Sequence, residues 1–381
     1  MPGPPPVTLG DVNVPLAPQA RTVEIEDLER FDALVAGGAK NMHGWHFQSV
    51  DLRQRSGVLV ELHASGAIFM GCTFENGVED LLRGRGALIF PALPHLPFNP
   101  YRGHLYSGVE LFEGIATGEY ESVPDAAIYH WSLQTRPALN STLATAMHDH
   151  AITDALYDFL DQLPHPVVGV MGGHAAARGS EQYAQAAKLG WALTQSGFLV
   201  ATGGGPGAME GANLGAYLST YDAETLERAL LTLGEVPGFR PSVTKWARAA
   251  FKVVEAYPEG APSLGIPTWF YGHEPPNIFA SKIAKYFTNA LREAILLERS
   301  RGGTVFLPGA AGTVQEVFQD ACENYYAAEG AVAPMVLVGR KYWEVEVPVM
   351  PLLTTLAQGR PMEDFLFLVD SVEEACAVLA G

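Results

Sequence analysis

From residue 166 onward the chain repeats one unit, a short and continuously apolar run that ends in a turn and is followed by a helix-length stretch. PVVGVMGG (166–173), FLVATGGG (198–205), SLGIPTWF (263–270) and GGTVFLPG (302–309) are the first four runs, and APMVLVG and FLFLVD are the last two. A strand without polar alternation needs apolar cover on both faces. With helices between the runs, the pattern predicts a doubly wound parallel sheet of about six strands. SEQYAQAAKLGWALTQSG, PGAMEGANLGAYLS and TVQEVFQDACENYYAAEG read as helices, and NIFASKIAKYFTNALREAILLERS as one long helix. Residues from about 221 to 261 break the rhythm as an insertion with helical pieces of its own.

Upstream, LATAMHDHAITDALYDFLDQL reads as an amphipathic helix stopped by Pro164 and Pro166. It divides the chain into an N-terminal β-rich domain of unassigned role, residues 1–140, and an α/β domain, residues 141–381. FQSVDL and AIFMGCTF have the look of stacked coils, but they span too few turns for a solenoid. Residues 1–20, Pro-rich, read as an irregular arm, and the basic and apolar regions of a signal peptide are not expected there. The chain carries 24 basic and 42 acidic residues, a net charge of −18. Such a surface repels nucleic acid and anionic membrane, although local donors can still hold a small anion. Its three cysteines form no CxxC pair, and no run is long enough to span a membrane. A cytoplasmic protein is expected.

Three glycine corners follow predicted strands: Gly172-Gly173, Gly203-Gly204-Gly205-Pro206-Gly207, and Pro308-Gly309-Ala310-Ala311-Gly312-Thr313. In a doubly wound sheet all three fall at the carboxyl edge, where ligands bind. Glycines let backbone amides approach an anion, and helix entrances add a favourable dipole. Gly172, Gly173, Gly204, Gly205, Gly309, Gly312 and Thr313 are therefore candidate phosphate-binding positions. The dinucleotide fingerprint is not met, because GVMGGHAAARG is not GxGxxG and the second strand ends without an acidic residue. A Walker A lysine and a GxSxG elbow are missing, and HEPPN lacks the second histidine of a zinc protease. His148 and His150, two apart on a helix, point to different faces and suit surface or interdomain contacts better than a metal. No metal site is expected.

TGGGPGAMEGANLGAY and LPGAAGTVQEVF resemble the Lonely Guy (LOG) family, whose signature is a GGG-containing loop followed by PGGxGTxxE, and HEPPNIF resembles a further element of its longer members. The resemblance runs from about Val167 to Gly381. It implies a Rossmann-like fold and a phosphoribohydrolase or nucleosidase that splits nucleoside 5′-monophosphates into base and ribose 5-phosphate, with no cofactor. It also implies a homodimer or larger homo-oligomer. The family's motif glutamate falls on Glu316, and its helix arginine on Arg292. Two departures stand out: Glu293 where the family has lysine, and Ala310 where it has the second glycine of the motif.

Several assignments have two readings at this level. Glu316 can stabilise an oxocarbenium-like ribose, or it can close a capping box with Thr313. Arg292 can orient the base, while Lys282, Lys285, Asn289 and Arg292 also fit a solvated helix stripe. Arg178 can reach the phosphate or lie on the surface. Asp320, with Glu323 beyond it, continues the Glu316 face as a supporting group or as part of an acidic stripe. Glu293 and Ala310 likewise leave open a nucleotide-binding sensor or scaffold without turnover.

Overall fold

The structure, a computed structural model, describes residues 22–133, 138–270, 274–328 and 330–380; the arm expected at 1–20 lies outside them. The chain separates into two units, Met1–Pro94 and His95–Gly381. In the first, strands β1 (Val23–Ile25), β2 (Trp45–Gln48), β3 (Ile68–Met70) and β4 (Leu88–Phe90) pair in chain order, all parallel. Helices α1 (Leu28–Ala36), α2 (Ser56–Glu61) and α3 (Val78–Gly84) connect them. Each return to the sheet uses roughly twenty residues, the scale of a repeat that buries its apolar face on its neighbours. Phe47 and Phe69 stack across adjacent strands at 4.4 Å, and Phe31 and Trp45 close the core beside them.

The second unit opens with α4 (Gly108–Leu111), α5 (Pro124–Ser132) and the 23-residue α6 (Leu139–Asp161). The repeating region follows as β5 (Val167–Met171), α7 (Glu181–Gln195), β6 (Leu199–Thr202) and α8 (Ala208–Tyr217). The insertion supplies α9 (Ala223–Gly234) and α10 (Val243–Ala256). Then come β7 (Leu264–Gly265), β8 (Lys282–Ile283), α11 (Asn289–Arg299), β9 (Gly303–Phe306) and α12 (Ala311–Tyr326). The chain continues through β10 (Met335–Val338), α13 (Met350–Ala357), β11 (Leu366–Val369) and α14 (Val372–Ala380). The sheet order is β11-β10-β9-β5-β6-β7-β8, and every pairing is parallel. β5, β6, β9 and β10 are buried throughout, as continuous apolar runs require. The helices α7 and α8 pack without room for side chains at two crossing points. A Cβ at Gly190 would meet the Ala212 carbonyl, and one at Gly215 the Ala187 carbonyl.

Two features depart from the sequence expectation. The seventh strand, β8, lies within the stretch read as one long helix, which begins only at Asn289. There the backbone gives its hydrogen bonds to sheet neighbours: Ile283 N donates to Tyr106 O, Ala284 N to Gly265 O and Tyr286 N to Pro267 O. Tertiary pairing thus overrides good helix formers such as Ala284 and Lys285. Lys282, Lys285 and Arg292 consequently share no helix stripe. Secondly, residues 95–133 belong to the unit that carries the larger sheet. Tyr106 bridges Ile283 at the β8 edge, and Arg248 of α10 donates to the carbonyls of Ile115 and Gly118.

A buried charge joins this segment to the sheet. Asp125 on α5, fully buried, accepts from Lys285 Nζ at 2.6 Å, from Trp269 Nε1 at 2.9 Å and from the Tyr120 hydroxyl. Lys285 is itself 1% exposed. Removing one member of such a pair strands the other charge without water. Lys285→Met is therefore expected to destabilise the fold by about 3–5 kcal/mol, read as a lowered midpoint in chemical denaturation. A change within experimental error would show that Asp125 does not depend on its lysine.

Candidate active site

The glycine corners of β5, β6 and β9 meet around β5, where the chain crosses from one half of the sheet to the other. They enclose a cleft of about 460 Å³ in the His95–Gly381 unit. Gly172, Gly173, Gly203, Gly205, Ala310, Ala311, Gly312 and Thr313 line it, together with Arg292, Glu293, Gln315 and Glu316. His174, Met209, Pro267, Thr268 and Glu274 complete the wall.

The glycine positions divide by what their backbone does. Gly173 stitches the corners together: its N–H donates to Pro308 O at 3.2 Å, and its carbonyl accepts from Ala208 N at 3.1 Å. Gly204 does not line the cleft, because its N–H is spent on Thr202 Oγ1 at 2.9 Å and its carbonyl on Asn277 N at 2.8 Å. Gly309 also turns away, its carbonyl accepting from the Tyr342 hydroxyl. By contrast, α12 starts after Ala310 with no side-chain cap. The first-turn amides of Ala311, Gly312 and Thr313 have no intrahelical acceptor, and all three residues face the cleft.

This geometry removes the cap reading of Glu316. With Ala310 as the N-cap, Thr313 is already the third helical residue, and Glu316 lies a further turn inside. Its carboxylate Oε1 instead accepts from Arg292 Nη1 on α11 at 3.3 Å. Arg292 Nη2 is also 3.3 Å from Asn289 Oδ1 and 3.7 Å from Glu293 Oε1. The Arg292 Nε is buried and has no hydrogen-bond partner among the described residues. Burial raises the Glu316 carboxyl above its ordinary range; the Arg292 cation opposes that shift and the Glu293 charge adds to it. Glu293, the departure from the family pattern, is held by Asn289 Nδ2 at 2.6 Å and Gln315 Nε2 at 2.9 Å.

Neighbouring elements hold this arrangement in place. Asp149 of α6 accepts from Phe287 N at 2.9 Å and Thr288 N at 2.8 Å, pinning the start of α11. His148, expected on the surface or between domains, is fully buried beside it, with Nδ1 3.3 Å from Asp149 and Nε2 2.8 Å from the Tyr106 hydroxyl. Burial lowers its pKa, which keeps the imidazole neutral. On the other side, Asn277 donates to Gly205 O at 3.2 Å and to Asn213 Oδ1 at 3.0 Å, fixing the β6 corner. Asn277 and Glu274 both come from the HEPPN segment, a sequence signal that marked this stretch without assigning its residues.

The remaining candidates lie elsewhere. Arg178 does not line this cleft; buried, it forms a two-pronged ion pair with Glu210 on α8. Lys282 sits exposed on edge strand β8. Asp320 faces the sheet, where the Thr304 hydroxyl donates to it, and burial pushes its carboxyl up to about 7. Among the described residues no group of three or more His, Cys, Asp or Glu side chains is placed to hold a metal ion, and no helix is long and apolar enough to cross a membrane.

Residues 165–220, from β5 through the second glycine corner to the end of α8, match the SLOG cluster4 family. No curated protein matches the sequence. Among solved structures, the chain is similar to the molybdenum cofactor binding protein of the phototrophic bacterium Rippkaea orientalis, at 17% identity and a TM-score of 0.35 over 56% of this chain and 95% of that one. It is similar to the molybdenum cofactor carrier protein of Chlamydomonas reinhardtii at 19% identity and a TM-score of 0.35, over 57% and 99% of the two chains.

Two measurements check the electrostatics. In Arg292→Met the Glu316 carboxyl loses its cation and keeps the Glu293 charge, so its midpoint, followed by carbon NMR of labelled glutamate, is expected above that of wild type; an unchanged midpoint would show that the pair does not form. Asp320 binds a proton in the folded state that the unfolded chain has already lost between about pH 4 and about 7, so its contribution lowers stability as pH rises through that window. Asp320→Asn is expected to flatten this loss, on the order of a few kcal/mol, in denaturation curves recorded across the window. Parallel curves for the two proteins would refute it.

Proposed function

We propose that the cleft binds a nucleoside 5′-monophosphate and hydrolyses its N-glycosidic bond, as the resemblance to the LOG family implies. The phosphate is received by the first-turn amides of α12, at Ala311, Gly312 and Thr313, with Gly172 and Gly205 giving close approach; Gly173 and Gly204 shape the corner. The observation that carries the reading is the Arg292–Glu316 contact one turn deeper. A carboxylate held at that depth, and not used as a helix cap, supports a role for Glu316 at the ribose.

The chemistry follows from charge. As the bond between C1′ and the base nitrogen breaks, its electron pair leaves with the base and positive charge grows on the ribose ring. A fixed Glu316 carboxylate stabilises that charge. Water then adds its oxygen at C1′, and the proton it loses passes to Glu316 and on to the departing base. The raised affinity of Glu316 for a proton suits this exchange. Arg292 holds the carboxylate in place.

One observation favours a second reading, binding without turnover. Glu293 places a second carboxylate 3.7 Å from the same guanidinium, so Arg292 is shared and less able to assist a leaving base. A panel of nucleoside monophosphates, assayed for free base and ribose 5-phosphate, decides between them. Release of both products is expected, with Glu316→Gln slowing it about a hundredfold or more while leaving the melting temperature in place. Equal rates would remove Glu316 from the chemistry. Tight binding of several monophosphates with release from none would establish the second reading.

A further inference from the structure

The cleft does not end at His174 and Glu274. Both residues also line an adjoining hollow of about 430 Å³. One wall of this hollow is the Gly207 entrance to α8, and the other is built by the insertion, from the turn at 237–240 and Trp246 on α10. The insertion is locked to the sheet edge through Arg178. Its guanidinium grips Glu210, donates to Trp246 O at 2.9 Å and lies 4.5 Å from the Trp246 ring centroid, while its backbone N–H donates to Pro237 O at 2.9 Å. That pair is neutral in sum and forms part of the frame.

Arg240 is different. It lines the hollow, is exposed and has no carboxylate partner among the described residues; its guanidinium stands 5.7 Å from the Phe239 ring centroid. Of the two carboxylates lining the hollow, Glu210 is neutralised by Arg178, and Glu274 lies 3.6 Å from His174 Nδ1. On a chain of net charge −18, an uncommitted cation beside a hollow that continues from an anion-receiving edge is a place for a second anionic group. The Phe239 ring, half-buried in the same turn, offers a face for stacking. Ligand clefts begin at about 300 Å³, so the first cleft accommodates a mononucleotide by itself and the hollow is additional room.

We propose that the ligand is a pyrophosphate-linked nucleotide whose distal half occupies this hollow. The first phosphate sits at the α12 entrance, the second meets Arg240, and the distal ring rests on Phe239. The proposal rests on the nucleotide reading of the first cleft. Calorimetric titration of the full chain with AMP, ADP-ribose and diadenosine diphosphate tests it, in wild type, Arg240→Ala and Phe239→Ala. Both pyrophosphate ligands are expected to bind wild type about tenfold or more tighter than AMP, and each substitution is expected to bring that ratio toward one. A gain for the dinucleotide alone would assign the distal ring as a base; a gain for both would assign the pyrophosphate as the recognised group. Equal affinities in wild type, or a ratio that survives Arg240→Ala, would overturn the inference and leave the first cleft standing. Failure of all three ligands to bind would overturn both. Because Arg240 and Phe239 lie on a surface turn, circular dichroism melts are expected to show both variants folded.

Discussion

One guanidinium holds the candidate site together. Arg292 reaches from α11 to Glu316 on α12 while standing close to Glu293 on its own helix, so a single cation is divided between two carboxylates, all three side chains being largely buried. Burial makes an ionised Glu316 costly, and the guanidinium lowers that cost without cancelling it. The result is a carboxyl fixed in position whose hold on a proton is raised by burial, the direction in which general acid–base groups are tuned.

That placement depends on supports outside the cleft. Asp149 on α6 accepts the two amides just ahead of α11, and the neutral, buried His148 and Tyr106 back it from behind. Asn277, Asn213 and Thr202 close a buried hydrogen-bond network under the β6 corner, so the glycines there are held rather than loose. Asp125 and Lys285 hold residues 95–133 against the sheet edge by an ion pair sealed from water. Each support uses polar groups that would be costly to bury unpaired, which restricts the site to one geometry. The match of residues 165–220 to the SLOG cluster4 family falls on the glycine-rich half of this frame. Arg292 and Glu316 lie beyond it.

Local signals in the chain determined the sheet and its edge. Continuous apolar runs fit strands of a parallel sheet covered on both faces, and glycines after three of them put the ligand edge where the strands end. The glycine corners therefore marked the cleft, and Gly172, Gly205, Gly312 and Thr313 with it, while Glu316 and Arg292 were pointed to by the resemblance to the LOG family. Their short-range spacing was also enough to raise the alternative of a helix cap at Glu316. Tertiary structure decided what spacing leaves open, because a pattern of residues does not say which partner each polar group will find. It broke the long helix at β8, since the 277–286 backbone gains more from Gly204, Gly265, Pro267 and Tyr106 than from its own turn. It made Arg178, open between the phosphate and the surface, the anchor of the insertion, and His148, expected on the surface or between domains, a buried brace. It also drew Asp320 into the sheet face, placed Ala310 rather than Thr313 at the head of α12, and so left Glu316 free to meet Arg292 across twenty-four residues of sequence.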